Sequence, residues 1–333
     1  MKFLARAAPG FCLLLVLATP AIAACSLTKV TQMPLVELGA HYAVMAKIGN
    51  EVRPMTVDTG SPVTLIKSSV AKDLDLKPDH SISDSRPVIG VGQTQADLYV
   101  NVVPSVLAFG DLVYRDRSTV VAMMDDGKTP ENDSAGLLGD DILSQFEVEF
   151  DFPSRKLTFY RSSGCYKTFL PWTSAYSAIP FDHRDAKIAI DVFLNGERTR
   201  AIVDTGNNVS FVSKHSNALW GVPYSAFVNT PAQSRSPLND GKPMPIQAFT
   251  FDTVKIGDEL SFQQKMGVVD VDFPLASANL GLDYWQSRKV WISYANNWMF
   301  VSDKPQAAAL AYPVIEAAPV AAEVKLKSAL SEN

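Results

Sequence analysis

The chain of 333 residues is poor in the side chains from which metal and redox sites are built, with three Cys and four His. His41, His80, His183 and His215 are scattered, with no HExxH or CxxC spacing, so no zinc site and no other metal is expected. Each reads as an ordinary surface or hydrogen-bonding residue. Lys and Arg total 30 against 35 acidic residues, a net charge of −5. No basic run is long enough to track a phosphate backbone, which argues against nucleic acid as a partner. GxSxG, a Cys/His pairing and a phosphate loop are all missing, which removes the usual nucleophile and nucleotide chemistries. Helical pattern is scarce too: only "SSVAKDLDL" from Ser68 and "DDILSQF" from Asp140 read as short helices, with Asp140 and Asp141 suiting a helix start. The acidic stretch containing Asp125, Asp126, Glu131 and Asp133 lacks the spacing of an EF-hand and reads as a solvated loop.

What is present begins with a leader. Lys2 and Arg6 precede an apolar stretch from Phe11 to Ala18 and then small residues, the layout of a secretory signal over 1–23 and too short to span a bilayer comfortably. Ala21-Ile22-Ala23 satisfies the small-residue rule for cleavage after Ala23. Ile22-Ala23-Ala24-Cys25 also resembles a bacterial lipobox, which would make Cys25 a lipid anchor. Cys12 leaves with the leader in either case. The even count of the remaining pair favours a disulfide between Cys25 and Cys165 in an oxidising compartment. The chain is thus expected in the periplasm or secreted, with an outer-membrane lipoprotein as the alternative, and loss of Lys2 and Arg6 takes the net charge from −5 to −7.

Internal repetition decides the organisation. "YAVMAKIGNEVRPMTVDTG" from Tyr42 lies without gaps on "IAIDVFLNGERTRAIVDTG" from Ile188; "LAFGDLV" at 107 matches "VKIGDEL" at 254; "GLLGDDIL" at 136 matches "ANLGLDYW" at 278; and "VEFDFPSRKLTFY" at 148 matches "VWISYANNWMFV" at 290. The offsets are 146, 147, 142 and 142, so the halves are colinear copies. Within each, short segments rich in Val, Ile, Phe and Thr are punctuated by Gly, Asn, Asp and Pro, with tight hairpin turns expected at Gly49-Asn50 and Asn195-Gly196. The expected parts are one copy over 27–162, an aromatic but aperiodic connector over 163–185, a second copy over 186–303 and a flexible Ala/Pro-rich tail over 304–333. Trp172, Trp220, Trp285, Trp291 and Trp298 read as packing residues.

Each copy carries Asp-Thr-Gly behind an apolar pair, at Asp58-Thr59-Gly60 and Asp204-Thr205-Gly206. A strand ends at each Asp, and Gly60 is expected to turn the chain through a positive φ. Two copies packed about a pseudo-twofold axis bring equivalent loops face to face, so Asp58 and Asp204 should meet. Two carboxyls about 3 Å apart cannot both ionise; they share one proton, one serving as base and the other as acid. Such a pair can activate water against a carbonyl without metal, cofactor or covalent intermediate.

On these motifs the sequence resembles the retropepsin-like and pepsin-like aspartic proteases, in a single-chain, two-copy bacterial form, over nearly all of residues 38–302. The resemblance implies a mainly all-β fold of two pseudo-twofold-related barrel lobes with a few short helices, a monomer, and an endopeptidase acting on an extended peptide or protein substrate. It implies Thr59 and Thr205 bonding across to the opposite loop, and brace segments at Leu137-Leu138-Gly139 and Asn279-Leu280-Gly281. It also implies a flap at Val88 to Gln95, with Val91 between Gly90 and Gly92, the two glycines that let it bend. Ser61 conforms to the family pattern, its hydroxyl able to donate to the outer oxygen of Asp58. Asn207 and Asn279 depart from it, and both lie in the second copy. That leaves open a catalytically silent, peptide-binding envelope protein of the same fold.

Overall fold

The computed structural model describes residues 25–81, 87–88, 97–98, 101–122, 133–165, 169–172, 175–226, 233–235, 243–273, 275–302 and 314–316. The leader, Gly90, Val91 and Gly92, and the acidic residues Asp125, Asp126 and Glu131 lie outside the described residues. The protein is mostly β, its sheets forming barrels with a few short helices between them.

In the first half, His41–Ile48 and Glu51–Val57 form an antiparallel hairpin, and Gly136–Leu138 lies between Glu51–Val57 and Leu65–Lys67, parallel to one and antiparallel to the other. The second half repeats this arrangement. Lys187–Leu194 pairs antiparallel with Glu197–Val203, and Ala278–Leu280 lies between Glu197–Val203 and Phe211–Ser213. From Phe211–Ser213 the order continues through Glu259–Val269 and Gln247–Ile256 back to Lys187–Leu194, so six strands close a barrel. The expected turn at Asn195-Gly196 places both residues at positive φ, 51° and 84°, which suits the right-handed twist of the flanking strands.

The halves also share a sheet. Glu147–Asp151 pairs antiparallel with Lys289–Ser293, Val148 opposite Ile292 and Phe150 opposite Val290, all four side chains buried in the main core. Because side chains alternate across a strand, the intervening Glu147, Glu149 and Trp291 fall on the opposite face, where Trp291 packs with Tyr160, Phe169 and Phe300. The two carboxylates there are not orphaned, since Trp291 Nε1 donates to Glu147 and Trp172 Nε1 to Glu149. Trp172, Trp220, Trp285 and Trp291 are buried. Full burial of aromatics on this scale contributes about 1.5–3 kcal/mol each.

Cys25 and Cys165 form a disulfide, with Cα atoms 4.4 Å apart. The register explains it: Ser26 of Ser26–Pro34 lies opposite Ser163 of Lys156–Ser163, placing both cysteines at one sheet corner. Two segments differ from expectation. The connector 163–185 is not aperiodic throughout, because Tyr176–Arg184 is a nine-residue strand burying Ser177, Ile179 and Phe181 in alternation. Pro180 obscures that alternation in the sequence; it sits where the strand passes from Trp298–Ser302 to Lys187–Leu194, a point where a missing N–H is tolerated. In the tail, Val314–Glu316 pairs parallel with Leu27–Lys29, a β-prone tripeptide within an Ala/Pro-rich segment.

Candidate active site

Both Asp-Thr-Gly loops hang from strands pinned by the brace segments. Asp58 N donates to Leu138 O and Asp204 N to Leu280 O, each at 3.0 Å. Behind each brace is a hydroxyl–carboxylate pair. Thr64 donates to Asp141 from N and Oγ1, and Gly139 N donates to Thr64 Oγ1; Ser210 donates to Asp283 from N and Oγ, and Gly281 N donates to Ser210 Oγ. In the sequence Asp141 stood out only as part of a helix start, and Thr64, Ser210 and Asp283 did not stand out. Their signal was the repeat itself, since they sit 146 and 142 positions apart in the aligned blocks.

The loops interlock through their threonines. Thr59 Oγ1 donates to Val203 O at 2.9 Å and accepts from Thr205 N at 3.1 Å, while Thr205 Oγ1 donates to Val57 O at 2.8 Å and accepts from Thr59 N at 3.1 Å. All four bonds are buried, where breaking one strands its partner at a cost of about 1–3 kcal/mol. This lock carries each carboxylate over the other loop's glycine. A Cβ on Gly60 would collide with the carboxyl group of Asp204, and one on Gly206 with that of Asp58. Neither glycine has a positive φ, contrary to the expectation for Gly60: close approach of the opposing acid, not backbone conformation, requires glycine here.

The two acids are held differently. Asp58 Oδ1 accepts from Gly60 N at 2.8 Å and Ser61 N at 3.0 Å. The Ser61 hydroxyl does not serve Asp58; it donates to Val63 O, which lies nearer in the turn. Asp204 Oδ1 accepts from Gly206 N at 2.9 Å, while Oδ2 accepts from Asn279 Nδ2 at 2.8 Å and from Asn207 Nδ2. The two residues that depart from the family pattern therefore converge on one carboxylate oxygen. Asn279 is buried in the brace and its Oδ1 has no partner.

Asp58 is pushed up to about 8, first by burial and second by the neighbouring Asp204 charge, against the opposing pull of Lys187 and the Gly60 N–H. Burial and the neighbouring Asp204 charge thus both favour the protonated form of Asp58. Lys187 Nζ donates to Gly60 O at 2.6 Å. The residue 146 positions earlier is His41, whose imidazole is held below its usual range by burial, against the pull of Asp204. His41 Nδ1 is buried without a partner, so it is not the ordinary hydrogen-bonding residue expected. His183 does fit that expectation, its Nε2 lying 2.8 Å from Asp140 Oδ1 and tying a helix of the first half to a strand of the second. Among the described residues no group of three His, Cys, Asp or Glu is placed to hold a metal ion. The backbone strands Pro87–Val88 and Asp97–Leu98 pair antiparallel, the first of them including Val88 at the start of the expected flap.

Residues 44–142 match the model of a family described as aspartyl protease, a span that contains Asp58, its loop and the first brace. This match supports an aspartic protease family for the chain. Among solved structures, an aspartic proteinase from Irpex lacteus is similar at 14% identity and a TM-score of 0.46, over 82% of this chain and 97% of that one. No curated protein matches.

Proposed function

We propose that the protein is an aspartic endopeptidase in which Asp58 is the acid and Asp204 the base. The observation that carries this reading is the reciprocal approach of the carboxylates, each over the other's glycine and each loop locked to the other by threonine. Three N–H donors point at the Asp204 carboxyl group, while burial and the charge beside it favour the proton on Asp58.

In the proposed reaction Asp204 takes a proton from water as the water oxygen adds to the peptide carbonyl carbon. Asp58 gives its proton to the carbonyl oxygen, forming a neutral gem-diol. Asp204 then protonates the amide nitrogen as the C–N bond breaks, and Asp58 recovers a proton from a diol hydroxyl. Both acids end as they began. Asn207 and Asn279 support an active pair over the silent alternative, because each aids the carboxylate that must act as base.

The protein is further proposed to act as an exported monomer on extended peptides beneath a Gly-rich flap, a location the disulfide favours. The mass of the mature N-terminus tests this: cleavage after Ala23 leaves a chain beginning at Ala24, whereas lipidation leaves an acylated Cys25. For the chemistry, purified protein is incubated with a peptide library from about pH 3 to about pH 8, beside Asp58→Asn and with a statine-type transition-state mimic. Cleavage abolished by both supports the assignment; peptide binding without turnover in the wild type contradicts it.

A further inference from the structure

A cleft of about 440 Å³, joined to the first Asp-Thr-Gly loop through Lys187, has a lining of opposite charge to the rest of the chain. Arg184, Lys187, Arg198 and Arg200 line it with Asp182, Ala189 and Leu275, in a protein of net charge −5. Apart from Leu275, the residues come from three successive antiparallel strands, Tyr176–Arg184, Lys187–Leu194 and Glu197–Val203. Arg184 lies opposite Lys187, Asp182 opposite Ala189, and Ala189 opposite Ile202. Arg198, Arg200 and Ile202 share one alternating face of Glu197–Val203, the strand that ends one residue before Asp204. At its near end, Lys187 Nζ bonds Gly60 O of the other loop.

The cations outnumber the carboxylates that answer them. Arg200 pairs with Asp182 at 2.5 Å and reaches Asp191 at 3.5 Å; Arg198 pairs with Asp191 at 2.7 Å. Two acids thus answer three guanidinium groups, while Lys187 also acts on Asp58 and Asp140. Ala189 and Leu275, the latter 46% exposed, supply apolar wall against which an aliphatic stem can lie. Low-dielectric walls sharpen the field of the excess charge, and guanidinium groups suit a planar carboxylate.

We propose that this cleft is a substrate subsite that receives a carboxylate of the bound peptide. The proposal rests on the acid–base reading of Asp58 and Asp204. A carboxylate at the peptide's own C-terminus offers the same chemistry as a Glu or Asp side chain.

The test is a nested set of amidated peptides carrying Gln, Glu or Lys at one position at a time on either side of the bond, with Gln peptides bearing a free C-terminus as a separate arm. Glu at one position should raise kcat/KM about tenfold over Gln, and Lys should lower it. A similar gain only in the free-terminus arm would assign the cleft to the terminal carboxylate. In Arg184→Glu/Arg198→Glu the Glu-to-Lys preference should vanish or invert, and Arg184→Gln, a smaller change at an exposed position, should give an intermediate ratio. Equal rates for Glu and Gln peptides in both arms, or a preference that survives charge reversal, overturns the proposal. If no peptide is cleaved, the acid–base reading fails by itself. The same peptides are then compared by fluorescence anisotropy, where a Glu-to-Gln affinity ratio near one, or no binding, overturns the subsite as well.

Discussion

At the first loop, Asp58 is held through a single oxygen by two backbone N–H groups, and the neighbouring Ser61 hydroxyl turns away to Val63 O. At the second, Asp204 is held through both oxygens, by one backbone N–H and two side-chain amides. The frames beneath are equivalent: brace to Asp N at 3.0 Å in each, and threonine to opposite carbonyl at 2.9 and 2.8 Å. Two identical loops would give no reason for a shared proton to prefer either side. In the proposed mechanism, changing the donors and leaving the frame alone makes one acid a proton holder and the other a proton acceptor, so that asymmetric chemistry would come from a symmetric scaffold.

The largest expected effect comes from removing either acid. Asp58→Asn and Asp204→Asn should each lower kcat/KM by about a thousandfold or more. Their stabilities should move in opposite directions, which is where the comparison can break. Asp58 binds its proton more tightly folded than unfolded, so its contribution to stability is complete below its ordinary value of 3.8 and is lost as pH rises towards about 8. Asp58→Asn escapes that loss, and its melting temperature should gain on the wild type as pH rises through this window. Asp204→Asn removes the acceptor from amide donors and should cost about 1–3 kcal/mol. Equal pH dependence in the two variants would contradict the asymmetry.

Next in size are the amides. Asn279→Leu and Asn207→Ala should lower kcat by about tenfold each, because each removes a donor that fixes the Asp204 carboxyl group in place. Ser61→Ala, at the matching position of the other loop, should leave kcat nearly unchanged, since its hydroxyl bonds Val63 O and not the acid. Equal losses at Ser61 and Asn207 would dissolve the distinction.

The threonine lock should be symmetric where the acids are not. Thr59→Val and Thr205→Val should each destabilise by about 1–3 kcal/mol in denaturant unfolding, and the double variant should cost less than the sum because the bonds are shared. Unequal single losses would place an asymmetry in the frame itself.

Asp58, Asp204 and both threonines were legible in the sequence because duplication repeats them in register, and repetition is a one-dimensional signal. The roles of Asn207 and Asn279 were not. They register only as departures from a pattern, and 72 residues separate side chains that meet on one oxygen. The reason for Gly60 was misread for the same cause, since the atom that excludes a Cβ belongs to Asp204 in the other half. Tyr176–Arg184 was hidden by Pro180, whose local meaning is outweighed by the strand's change of partner. The basic cleft is scattered over three strands, and only antiparallel pairing gathers Arg184, Lys187 and Arg200 onto one face.

Carboxyl-carbon NMR of Asp-labelled protein across pH, with Asp58 assigned by substitution, tests the coupled pair most directly. The Asp58 resonance should report a proton retained until about pH 8, and that midpoint should fall when Asp204 is replaced by Asn. A midpoint near the ordinary carboxylate value of about 4, unmoved by the Asp204 substitution, would mean that the two acids do not share a proton.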